Sequence, residues 1–271
     1  REGQGRTTLD HVGEQHISIG IDVGGTGIKG AAIDVLSGAA VTTRHRVPTP
    51  AGGAPADIAR AVGEMTAAIR RELSGAGIER AAELPLGAAL PGVVRQGIMR
   101  TAANIDAQWI GADAQWLLSE AAGAACLVVN DADAAGIAES LFGAARGELG
   151  TTLLLTFGTG IGSALLHDGV LVPNVELGHL ELDGHPDIER FAAAKVIERE
   201  GIALAEWAGR VERLLIHLEL ILNPDRFVIG GSISKAADQY LPFAGVTTPV
   251  LPAHLRNNAG IVGAAWLAAT A

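Results

Sequence analysis

Asp22, Gly24, Gly25, Thr26, Gly27 and Lys29 fall in one short stretch, His16 to Gly30, reading HISIGIDVGGTGIKG. A carboxylate, a run of bare glycine N–H groups, a hydroxyl and an ammonium together suit a phosphate. Glycine lets the backbone approach a ligand and take positive φ. Successive N–H groups in such a turn can hold an anion, and Thr26 adds its hydroxyl. Asp22 can hold Mg2+ directly or through water, since that ion takes few carboxylates. Lys29 reads equally as a phosphate ligand and as a solvated edge lysine. Thr151 to Leu166, TTLLLTFGTGIGSALL, repeats the pattern with Thr156, Gly158, Thr159 and Gly160. Between the two, Asn130 and Asp131 close the apolar run CLVV and precede Ala132 and Asp133. An ionised Asp within hydrogen-bond reach of an alcohol can take its proton. Alone, Asp131 reads as a helix N-cap; beside two phosphate turns, a base is the better reading. Asp133 reads as a first-turn charge at the helix dipole.

The first stretch admits several readings. A P-loop fails because no Gly-Lys-Ser/Thr closes it. Gly25, Gly27 and Gly30 fit the dinucleotide spacing, but that fold needs a helix next and an acidic residue roughly 20 positions on. GIKGAAIDVLSG reads instead as a second strand, and positions 45–56 hold no Asp or Glu. A strand–turn–strand phosphate clamp remains, as does an ordinary glycine hairpin in which Asp22 caps the turn. The recurrence at 151–166 favours two related halves facing one polyphosphate.

These residues need elements to position them. Ile17, Ile19 and Ile21 alternate with the period of a strand, and AAVTTRHRVPT reads as a third strand after the hairpin. Pro55 to Leu73 has helical spacing through Ile58, Val62, Met65 and Ile69, with Pro at its start. Leu84–Leu90 and Cys126–Val129 read as buried strands, with helices over 112–122 and 134–145. Ligands of open α/β sheets gather at strand carboxyl ends, where Asn130 and Asp131 stand. Further helices are expected over 188–200 and 205–222, strands at Arg226–Ile229 and Val246–Leu251, and an amphipathic helix over 257–269.

Composition bounds the class. The 271 residues suit one large or two modest domains, and 48% hydrophobic content gives a real core. With aromatics at 4%, that core must be mostly Ala, Leu, Ile and Val. Cys126 is the only cysteine, so neither an internal disulfide nor a multi-Cys zinc site is available; it reads as a buried core thiol. A net charge of −10 argues against nucleic-acid binding and requires concentrated local positive charge if a polyanion binds. No unbroken apolar run suits a membrane span, and the polar first 15 residues show no signal core. A cytoplasmic enzyme with a loosely ordered segment 1–15 is the expectation.

DVGGTGIKG and LTFGTGIGSALL resemble the two phosphate loops of the sugar kinase, Hsp70 and actin superfamily. Within it the chain resembles the group of repressors, open reading frames and kinases (ROK), most of all its polyphosphate- and ATP-using glucokinases and glucomannokinases. The resemblance covers roughly residues 16 to 270. It implies an α/β, ribonuclease H-like (actin/Hsp70/hexokinase-type) two-domain fold with a cleft between domains. It places a small domain at 16–132, completed by a C-terminal helix at 257–271, and a large one at 133–256. The implied activity is phosphoryl transfer from ATP or polyphosphate to the 6-hydroxyl of glucose and mannose, with Mg2+, by a monomer or homodimer. Asn130 and Asp131 then bind the sugar, with Asp131 as base. Glu176-Leu177-Gly178-His179 matches the family's Glu-x-Gly-His sugar motif. Glu189, Gly92 and Asn104 match further sugar-side positions, although Pro-Gly and Asn also suit plain turns. Gly230-Gly231, with Ser232, matches the adenosine-side loop. Arg146, Lys235 and Arg256 are candidates for a phosphate track. In many relatives the motif His also holds zinc with three cysteines; GHPDIERFAA stands here instead, so no structural zinc is expected and His185 reads as a loop residue. Trp109 reads as core. Competing functions are an ATP-only glucokinase or amino-sugar kinase, a sugar-sensing repressor lacking its DNA-binding domain, and an actin-type ATPase. A repressor would need a helix-turn-helix before the first hairpin, where about 15 polar residues are too few.

Overall fold

The alternation of Ile17, Ile19, Ile21 and Val23 builds the first strand of a computed structural model that describes residues 16–271. The expectation for segment 1–15 lies outside the described residues. The described residues divide into two compact units, 16–134 with 260–271, and 135–259.

In the first unit β1 (Ile17–Val23), β2 (Ile28–Asp34) and β3 (His45–Val47) form an antiparallel meander. β4 (Leu86–Leu90) and β7 (Cys126–Asn130) add in parallel, giving the order β3-β2-β1-β4-β7. β5 (Val94–Arg95) and β6 (Ile98–Met99) make a small separate ribbon. The odd isoleucines of β1 pack against Ile58, Val62, Met65 and Ile69 of α1 (Pro55–Gly75), and Leu118 of α2 (Ala114–Ala122) joins the same core. Trp109 lies fully buried there, its indole N–H donating to the Gly53 carbonyl at 3.0 Å. Cys126 is a buried thiol, its pKa pushed up to about 12 by burial.

The other face of β1 carries Ser18, Gly20 and Asp22, a small and polar set that admits a helix backbone. α7 (Ala259–Thr270) lies there. A Cβ on Gly20 would stand 1.9 Å from the Ile261 carbonyl oxygen, and one on Gly87 2.0 Å from that of Ala264. Only glycine permits so close an approach. The expected amphipathic helix is a correction: α7 is apolar around its circumference and buried at Ala259 and from Ile261 to Ala265.

The second unit repeats the first. β8 (Thr151–Phe157), β9 (Ile161–His167) and β10 (Val170–Val172) form the meander, and β11 (Arg226–Gly231) and β12 (Val250–Pro252) add in parallel, in the order β10-β9-β8-β11-β12. α6 (Leu204–Leu222) buries Trp207, Val211, Leu214, Leu215 and Leu218 against Leu153, Leu155 and Phe157. The helix expected over 188–200 is two short ones, α4 (Glu189–Ala192) and α5 (Lys195–Glu200), interrupted where Ala193 turns extended at φ −63°, ψ 154°. α3 (Asp131–Phe142) starts three residues earlier than expected. No helix among the described residues is long and apolar enough to cross a membrane.

Candidate active site

The first glycine turn closes β1 onto β2. Val23 pairs with Ile28, and the Gly24 N–H donates to the Gly27 carbonyl at 3.0 Å. The Thr49 hydroxyl donates to the Gly24 carbonyl at 2.5 Å and fixes the turn from outside. None of Gly24, Gly25 and Gly27 takes a left-handed φ, which corrects the expectation of positive φ at this turn. At Gly25 glycine is required for space instead. A Cβ on Gly25 would meet the Cβ of Asn104 at 2.8 Å and its carbonyl oxygen at 3.0 Å. Asn104, itself at φ 62°, thus lies against the turn. Gly25 and Thr26 are exposed.

Asp22 and Lys29 are cross-strand partners in register, and the ammonium sits 3.2 Å from Asp22 Oδ2. Both are largely but not fully buried, at 17% and 23% exposure. Asp22 stands level with Ala89 of β4, and Ala89 with Val129 of β7. Asp22, on β1, and Asp131, which directly follows β7, therefore stand at the same end of one sheet, whose strands β1 and β7 lie two spacings or roughly 10 Å apart.

At that end Asn130 is buried, at 5% exposure. Its Oδ1 accepts the N–H groups of Ala132 and Asp133, each at 2.9 Å, and its Nδ2 donates to the Gly92 carbonyl at 3.0 Å. Asn130, not Asp131, is the N-cap of α3. Asp131 is half-buried at the first helical position and accepts the Ala132 N–H on Oδ1 at 2.9 Å. Asp133 is buried in the first turn, as expected. The Ala103 N–H donates to the Pro91 carbonyl at 2.9 Å, so one chain of contacts runs from the glycine turn through Asn104 and Gly92 to Asn130.

The second unit assembles its own set. Phe157 pairs with Ile161, the Gly158 N–H donates to the Gly160 carbonyl at 3.0 Å, and Thr159 is exposed at the tip. Gly158 and Gly160 also avoid left-handed φ. A Cβ on Gly160 would come 2.3 Å from Glu189 Oε2, which accepts the Ile161 N–H at 3.1 Å. Glu189 is thus wedged at the base of this turn, a role the sequence does not disclose. Around Gly158 a Cβ would meet nothing within 4 Å.

The Ser163 hydroxyl binds the Glu-x-Gly-His loop to β9: it donates to the Val175 carbonyl at 2.5 Å and accepts the Leu177 N–H at 2.9 Å. Burial pushes the Glu176 carboxyl up; His179 pulls it down and Glu189 pushes it up further. Glu176, His179 and Glu189 therefore form one cluster. His179 is exposed, with Nδ1 3.2 Å from Asp187 Oδ1. His185 stacks on Phe191 with ring centroids 3.8 Å apart. Thr156 is level with Gly230, and Phe157 with Gly231, so the glycine pair of β11 lies at the same strand end. Arg146, Lys235 and Arg256 are exposed residues of this unit.

Glu139 is a further buried carboxylate, 1% exposed, that no motif or spacing points to. It accepts backbone N–H groups of Ala144 at 2.8 Å, His254 at 3.0 Å and Leu255 at 2.7 Å, fixing the chain before α7.

Two repeats of a β-meander closed by a glycine turn, on actin/hexokinase-like α/β units, define the fold of the sugar kinases. The chain belongs to the ROK family, whose profile matches residues 18–192. It is 44% identical to the polyphosphate glucokinase of Mycobacterium tuberculosis over 265 residues, covering 97% of this chain and 93% of that protein. The polyphosphate glucokinase of Mycobacterium leprae is 42% identical over 95% of this chain and 76% of its own length. Among solved structures, the inorganic polyphosphate/ATP-glucomannokinase of Arthrobacter sp. strain KM superposes with a TM-score of 0.87 at 47% identity, covering 94% of this chain and 98% of that one.

Proposed function

We propose that the chain moves the terminal phosphoryl group of ATP or inorganic polyphosphate to the 6-hydroxyl of glucose, and of mannose as a second substrate. The observation that carries this reading is the placing of Asp22 and Asp131 at one end of one sheet, with Asn130 capping α3. Asp131 takes the proton of the 6-hydroxyl. The oxygen bonds to the terminal phosphorus, and that phosphorus releases its bridging oxygen, leaving ADP or a polyphosphate one unit shorter. Asn130, Glu176, His179 and Glu189, with Gly92 and Asn104, hold the sugar. Mannose differs by one epimeric hydroxyl, a small discrimination.

The glycine turns, with Thr26 and Thr156, take the donor phosphates, and Gly230-Gly231 the adenosine side. One carboxylate beside a phosphate turn fits Mg2+, which binds through one or two carboxylates plus substrate phosphates. Held by Asp22, it would neutralise charge on the donor. The setting is a cytoplasmic monomer or homodimer with neither nucleic-acid nor membrane partners; a net charge of −10 supports the former exclusion.

The test is Asp131→Asn. Turnover should fall about 10³-fold, within the range of a lost general base, while glucose affinity, read by calorimetry, changes little. Near-normal turnover would remove Asp131 as the base. Initial rates of the unaltered protein with ATP and with polyphosphate separate a dual-donor enzyme from an ATP-only one. Glucose-dependent donor consumption separates both from a sugar sensor.

A further inference from the structure

We propose that Arg46 is a donor-binding residue of the first glycine turn, its guanidinium gripping phosphoryl groups that ATP and polyphosphate share. This rests on the phosphoryl-transfer reading above. β3 sets Arg46 opposite Lys29 in register, and directly opposed residues share a sheet face with Cβ atoms about 5 Å apart. Lys29 is in turn opposite Asp22. The guanidinium lies against the turn itself: a Cβ on Gly27 would stand 3.3 Å from Arg46 Nε and 3.4 Å from one Nη. The fork therefore rests against the backbone of the turn at Gly27.

Charge completes the case. Lys29 is paired with Asp22 at 3.2 Å. Arg46 is exposed, and among the described residues no carboxylate forms an ion pair with it. The turn therefore presents two cations against one carboxylate, in a chain whose net charge is −10. Such a local excess attracts a polyanion that the rest of the surface repels. A planar guanidinium matches phosphate oxygens in bidentate fashion, and a donor phosphoryl supplies the anion the turn lacks.

The experiment compares wild type, Arg46→Ala and Arg46→Lys. It measures KM and kcat for ATP and polyphosphate at saturating glucose, KM for glucose, and calorimetric binding of tripolyphosphate without glucose. Arg46→Ala should raise both donor KM values and the tripolyphosphate Kd about 10-fold, the scale of one charge-assisted hydrogen bond. KM for glucose should stay within about two-fold, and Arg46→Lys should recover part of the loss. Thermal melting of each variant excludes misfolding, which an exposed position does not invite. Donor KM and tripolyphosphate Kd both unchanged in Arg46→Ala would overturn the proposal, as would a change confined to polyphosphate or to glucose. A wild type that binds tripolyphosphate but turns over no donor would instead remove the kinase reading, and the binding comparison would still decide Arg46.

Discussion

Glu176 is a carboxylate held in a partly desolvated place. Burial is the main cause of its raised pKa, followed by the opposing effects of His179 and Glu189. A raised value means that the folded chain holds this proton more tightly than the unfolded one. Stability from this residue is greatest below the ordinary carboxylate value, falls as pH rises through it toward the raised value, and stays lowered above. Glu176→Gln has no proton to lose. The melting temperature of Glu176→Gln minus that of wild type should therefore grow as pH is taken from about 4 to about 7. A flat difference would show that burial does not disfavour the ionised form.

The start of α3 shows one side chain organising an element. Asn130 satisfies two helix N–H groups and the Gly92 carbonyl while 5% exposed. Asn130→Ala leaves those groups orphaned in a buried place and should cost about 2–4 kcal/mol of stability by denaturant titration. Asn130→Ser, which keeps one acceptor, should fall between the two; a loss below about 0.5 kcal/mol in the Ala variant would show the cap to be idle. Both hairpins, α1 and the buried strand before Asn130 are legible in the sequence, because period-two isoleucines, Pro55 at a helix start and CLVV each point to one structure. What is not legible depends on partners distant in the chain. The break at Ala193 coincides with the Lys195 N–H donating to the Gly158 carbonyl at 3.0 Å, which no local pattern encodes. Glu189 reads as a sugar-side residue by motif, and its bond to the Ile161 N–H is invisible until β9 is placed. Glycine at 25 and 160 suggests special dihedrals, whereas the structure uses it to make room for Asn104 and Glu189. For Arg46 a signal exists: RHR is a basic cluster in an acidic chain, one strand away from the turn.

The chain as a whole builds two units whose buried cores share no residue, one around β1, α1 and β4, the other around β8, β11 and α6. The first unit is closed by residues 260–271, so its integrity depends on chain made after the second. Gly87 and Leu215 probe the two separately. Gly87→Val would drive a branched side chain into the Ala264 carbonyl, 2.0 Å from where a Cβ would stand, and should cost about 3 kcal/mol by overpacking where neither backbone can yield. Leu215→Ala opens a cavity at a fully buried position of the other core and should cost about 2–5 kcal/mol. Hydrogen exchange resolves where each loss falls. Gly87→Val should speed exchange in β1, β4 and α7 while β8, β9 and β11 keep their protection, and Leu215→Ala should do the reverse. Equal loss of protection throughout the molecule in both variants would mean that the two cores unfold as one cooperative body. Selective loss would show that the repeated architecture carries two separable stabilities, each supporting its own glycine turn.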